Sequence, residues 1–110
     1  MIELYKGDTA WINLEFRNDD GTVLNLSGTS IYFTVKRNYS DPDIAALISI
    51  TQTGHDVPQS GLSHIFIDTG DSNHCAGEYV AGFKLKDQYN NVSTFNVESL
   101  IILPSTRDYV

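Results

Sequence analysis

Cysteine is nearly absent: Cys75 is the only one in 110 residues, so the chain cannot close a disulfide on itself. Stability must come from packing, and a reducing birthplace suits the composition. Basic side chains are also scarce, since seven Lys and Arg stand against fourteen Asp and Glu, a formal charge of −7. A field of that sign repels polyanions at long range, so nucleic acid is not an expected partner. Long apolar runs are missing. None approaches the roughly 20 residues that a membrane-spanning helix needs, and no membrane partner is expected. The opening Met1-Ile2-Glu3-Leu4-Tyr5-Lys6-Gly7-Asp8 has no basic-then-apolar signal layout, which predicts synthesis in the cytosol without export by that route. Helical periodicity is lacking as well, for no segment reads as a convincing amphipathic helix.

What is present is apolar and aromatic material in strand order. The chain is 41% hydrophobic and 19% charged, a balance suited to one packed domain over residues 1–110 and too apolar for disorder. Ala10-Trp11-Ile12-Asn13-Leu14-Glu15-Phe16-Arg17 puts Ala10, Ile12, Leu14 and Phe16 on one face. Asn18-Asp19-Asp20-Gly21 then turns the chain, Asp-Gly being suited to a tight reversal. Val23–Leu26 reads as a short strand, and Ile31–Lys36 as another with Ile31, Phe33 and Val35 inward. After the Asp41-Pro42-Asp43 loop, residues 44–51 predict a strand behind an irregular start. Leu62–Asp68 predicts the next strand, and residues 68–77 hold at most one helical turn. Glu78–Lys86 alternates with Tyr79, Ala81, Phe83 and Leu85 on one side, and a last strand or strand pair runs from Val92 to Leu103, stopped by Pro104. About seven short strands at roughly 10-residue spacing predict an all-β fold, an immunoglobulin-like antiparallel two-sheet sandwich. It lacks the Cys-Trp-Cys core of antibody domains, because Trp11 sits on the first predicted strand and Cys75 stands alone.

Residues with chemical potential are few. His55, His64 and the pair His74-Cys75 are the soft ligands, but the paired spacings of a structural zinc site are missing. His64 between Ser63 and Ile65 reads as a surface or edge histidine. Adjacent His74 and Cys75 point apart with no third group to orient them, so a nucleophilic pair is not expected. Asp19 with Asp20, Asp41 with Asp43, and Asp68 with Asp71 could gather at a sandwich end and hold calcium, yet turn-forming Asp accounts for each pair without a metal. Gly7, Gly28 and Gly61 are followed by no Gly-Lys-Ser/Thr, and no Gly-x-Ser-x-Gly elbow occurs. The expectation is therefore no enzyme, no catalytic residues, no cofactor and no metal. Trp11, Tyr5, Tyr32, Tyr39 and Tyr89 are candidate contact residues, since aromatics off the core face favour interfaces, although ordinary sheet aromatics would look the same.

Taken in order, Lys6-Gly7-Asp8-Thr9, Asn18-Asp19-Asp20-Gly21, Leu26-Ser27-Gly28-Thr29-Ser30-Ile31, Phe33-Thr34-Val35-Lys36, Asp41-Pro42-Asp43, Ala76-Gly77-Glu78-Tyr79 and Pro104-Ser105-Thr106-Arg107 resemble the immunoglobulin-like domains of tailed-bacteriophage virion proteins. Those domains stand at the start of baseplate upper proteins. The resemblance spans nearly the whole chain and implies a structural virion protein of the tail, baseplate or neck, assembled in a bacterial cytoplasm and attached to other virion proteins. It implies no catalysis. A homo-oligomeric or symmetric arrangement is expected in such an assembly. A capsid-surface decoration protein and a carbohydrate-binding β-sandwich module are the rival expectations. Met1–Tyr5 and Ser105–Val110 read as arms that the domain can lend to a neighbour.

Overall fold

Seven strands form in the computed structural model, which describes residues 1–104. They are β1 (Ile2–Tyr5), β2 (Ala10–Glu15), β3 (Ser30–Lys36), β4 (Ile48–Gln52), β5 (Leu62–Ile67), β6 (Gly77–Lys86) and β7 (Val92–Leu103). A single helical turn, α1 (Thr69–Ser72), lies between β5 and β6, and 3-10 turns occupy Asp43–Ala45 and Pro58–Ser60. The expected strand in residues 44–51 thus forms after a 3-10 start, and residues 68–77 hold the one predicted turn.

Five strands pair in the order β1-β7-β6-β3-β4, a sheet curled into a half-barrel, and β2 pairs with β5 in a second sheet. This is the predicted antiparallel two-sheet, immunoglobulin-like sandwich. One pair departs from the antiparallel pattern, because β1 lies parallel to β7 with Ile2 opposite Leu100 and Leu4 opposite Ile102. Leu4 is buried in the core. Met1–Tyr5 is therefore no loose arm: its strand is already paired within the molecule. Ser105–Val110 lies outside the described residues.

The predicted strand at Val23–Leu26 is replaced by one isolated bridge from Arg17 to Val23. Its backbone is shared between partners: Leu24 N–H donates to Phe16 O at 3.1 Å and Leu26 N–H to Pro58 O at 2.8 Å, so no single neighbour can extend a ladder. The preceding Asp-Gly turn forms as expected, with Gly21 at φ +88° and Asn18 N–H bonded to Thr22 O at 2.8 Å. Gly61 is the glycine the packing requires. It sits at φ +72°, and a Cβ there would come within 2.9 Å of Leu24 O.

Inward residues of both sheets make one core, in which Phe16, Leu26, Phe33, Ile65, Ile67 and Leu100 are fully buried. Ala10, Ile12 and Leu14 face it but are only half-buried, since two strands cannot cover a sheet of five. The pairing of β6 with β7 shifts register at Phe83 and Lys84, where Asn96 and Thr94 are the partners and Phe95 is the unmatched residue. That bulge turns Phe95 onto Phe16, edge to face, with ring centroids 4.3 Å apart.

Candidate interaction surface

β2 and β5 pair so that Trp11 lies opposite Phe66 and Asn13 opposite His64, all on the outward face because Ile12, Leu14, Ile65 and Ile67 take the inward one. The Trp11 ring lies 4.6 Å from Phe66 and 4.9 Å from His64, centroid to centroid, yet 62% of Trp11 stays exposed. Asp56 anchors the cluster from the preceding loop. Its carboxylate accepts from His64 Nδ1 at 3.0 Å, which fixes the imidazole against the indole. Leu62, also partly exposed, continues the strip along β5. The result is an apolar aromatic platform on the open side of a two-stranded sheet, the kind of surface that loses area to a partner.

The other predicted contact aromatics do not join it. Tyr5 and Tyr32 face outward on the five-stranded sheet, Tyr39 borders that face, and Tyr89 stands at the β6–β7 turn. His64 is placed on the sheet surface as expected, but it is tied to Asp56 and packed on Trp11. His74 and Cys75 lie in the loop after α1, with the cysteine exposed.

Each aspartate pair belongs to local structure. Asp20 accepts from Thr22 Oγ1 at 2.6 Å and Thr22 N–H at 3.0 Å, contacts that hold its carboxyl below the usual range. Asp43 is lowered by its hydrogen bond and ion pair with Lys36, at 2.8 Å, while Asp41 accepts from Asn38 N–H. Asp68 and Asp71 form a reciprocal capping box on α1. Among the described residues no three His, Cys, Asp or Glu side chains gather where a metal could sit.

A cleft at one sheet end is lined by Leu24, Asn25, Thr29, Leu85, Gln88 and Tyr89. Asp87, its acidic group, is held below the usual carboxylate range chiefly by Asn91 N–H, and it organises the turn by also accepting from Tyr89 N–H.

One arrangement escaped the sequence reading. His55 Nε2 lies 2.7 Å from Thr29 O and Nδ1 lies 2.8 Å from Ser63 Oγ. A carbonyl only accepts, so Nε2 carries the proton and, in the neutral ring, Nδ1 accepts from the serine hydroxyl. Ser63 is only 2% exposed, out of reach of a substrate, and the pair serves to pin a loop to β5. No spacing rule signals it, because Thr29 is 26 residues from His55.

The architecture is that of a curled antiparallel β-sandwich, or half-barrel. No family model matches the sequence. No curated protein matches it either. Among solved structures it is similar to the PmoD soluble domain from Methylocystis sp. (strain Rockwell), with a TM-score of 0.52 and 9% identity, covering 91% of this chain and 76% of that one. Similarity at that identity is a likeness of fold.

Proposed function

We propose that this chain is a structural component of a tailed-phage virion, in its tail, baseplate or neck, which attaches to neighbouring virion proteins and catalyses nothing. The observation that carries attachment is the exposed Trp11–Phe66–His64 platform. The order of turn and strand motifs supports the virion setting, and the acidic balance favours a protein partner over nucleic acid. Assembly would take place in the bacterial host cytoplasm. Burying an indole at the centre of an interface contributes strongly to affinity, so Trp11→Ala should abolish incorporation into particles, with the circular dichroism of the isolated chain unchanged. Immunogold labelling of particles from the source locates the site: label on tail or baseplate supports attachment there, and label over the head replaces it with capsid decoration. Absence of label from every particle would overturn the virion reading.

The same platform favours a second reading, a carbohydrate-binding module, because an exposed indole flanked by a second ring can stack on a sugar face. Titrating oligosaccharides against Trp11 fluorescence separates the two. A saturable change supports sugar binding, and a flat response supports a purely structural subunit.

A further inference from the structure

The outward face of the five-stranded sheet carries an ordered charge pattern. Near the start of β6, Glu78 and Glu3 flank Ile101 in one cross-strand row. Toward the end of β6, Lys84 stands between Tyr32 and Thr94, with Lys86 one row beyond. Between these ends the outward positions of β6 and β7 are Val80, Gly82, Val97 and Ser99, all uncharged. Neither Glu3 nor Glu78 forms an ion pair among the described residues, and Asp43, beside Lys84, is engaged by Lys36.

Gly82 stands in the middle of this face on β6, the central strand. Glycine weakens a strand interior and is found where another backbone or ligand comes close. Its own molecule does not require it: its φ is not positive, and an added Cβ would meet only Asn96 O, at 4.0 Å. A shallow depression opens above it, lined by Thr34, Lys36, Tyr39, Val80, Lys84 and Val97, with the Lys36 ammonium paired to Asp43 at 2.8 Å.

We propose that a second copy of this chain packs face to face on this sheet, β6 crossing β6 in antiparallel sense about a two-fold axis at Ala81. In that register Val80 of each copy seats over Gly82 of the other, and Glu78 meets Lys84 of the other copy. The charge pattern selects the axis. A two-fold axis along the strands would lay Glu78 on Glu78 and Lys84 on Lys84, whereas the axis across the strands brings opposite signs together at both ends. A foreign partner of single sign would satisfy one end only, so a self-complementary face fits a copy of itself. The charge of −7 on each chain opposes association at long range, but screening over about 8 Å at physiological salt leaves the contact pairs dominant. This interface is on the opposite side of the sandwich from Trp11 and does not depend on the partner that Trp11 takes.

Sedimentation velocity across a wide range of protein concentration tests it. The wild-type chain should form a dimer, and Lys84→Glu or Glu78→Lys should each weaken association by roughly tenfold or more. The double variant E78K/K84E should recover it, because the pairs reform with signs exchanged. Gly82→Val should also weaken the dimer by filling the seat of Val80, with circular dichroism unchanged because the Cβ has open space in the monomer. A wild-type chain that stays monomeric throughout would overturn the proposal. So would a dimer indifferent to Lys84→Glu and Glu78→Lys, or a double variant that fails to recover.

Discussion

At the scale of single residues, His55 shows how a polar side chain can stabilise an interior by leaving nothing unpaired. Its two ring nitrogens serve Thr29 O and the buried Ser63 hydroxyl, and no buried side-chain polar atom is without a partner among the described residues. His55→Ala should strip both contacts and lower stability by about 1–3 kcal/mol, read as a shift of the urea midpoint with unchanged slope. Asp71 makes a pH prediction. Burial pushes its carboxyl up, and repulsion from Asp68 adds to that, against the backbone hydrogen bond from Asp68 that pulls it down. Because the folded state then holds this proton more tightly than the unfolded chain, its contribution to stability declines as pH rises from about 4 through the raised value. Asp71→Asn, which keeps an acceptor for Asp68 N–H, should remove that decline. Urea midpoints measured from acid to neutral pH should be flatter for the variant than for the wild type.

At the scale of elements, the alternating segments in 10–17, 31–36 and 78–86 were legible because a strand with one buried face writes its period into the sequence. Residues 62–68 read as a strand without showing its faces, since apolar Leu62 and Phe66 point outward and Ser63 is buried. β1 was not legible. Ile2–Tyr5 spans four residues, too few to show a period, and it is held by a parallel ladder to the far end of the chain and by Leu4 in the core. Removing Met1–Tyr5 should therefore broaden and lower the thermal transition, seen by circular dichroism, whereas a dispensable arm would leave it unchanged. The Val23–Leu26 segment failed for the converse reason: its composition suits a strand, but Phe16 and Pro58 divide its hydrogen bonds. β7 illustrates a third case. Its twelve residues could have been one strand or two, and the bulge at Phe95 keeps it one while reversing which residues face inward.

At the scale of the whole molecule, the acidic excess acts on stability as well as on partner choice. Fourteen acids and seven bases on one small sandwich repel themselves when folded, so adding salt from low ionic strength toward physiological levels should raise the melting temperature, followed by differential scanning calorimetry. Trp11 was named from sequence as a contact residue, but its neighbours Phe66 and His64 were not grouped with it, since they lie more than fifty residues away and meet only through the β2–β5 register. The Glu3–Ile101–Glu78 row is of the same kind, drawn from three strands. The amino-acid sequence by itself determined the β class, most strand positions, most of their buried faces and the tight turns, because all of these depend on residues close along the chain. Only tertiary structure decided the division into sheets of five and two, the parallel β1–β7 pair, the His55 pin and the membership of each surface patch. Those follow from which distant segments close on one another, and local periodicity carries no information about that choice.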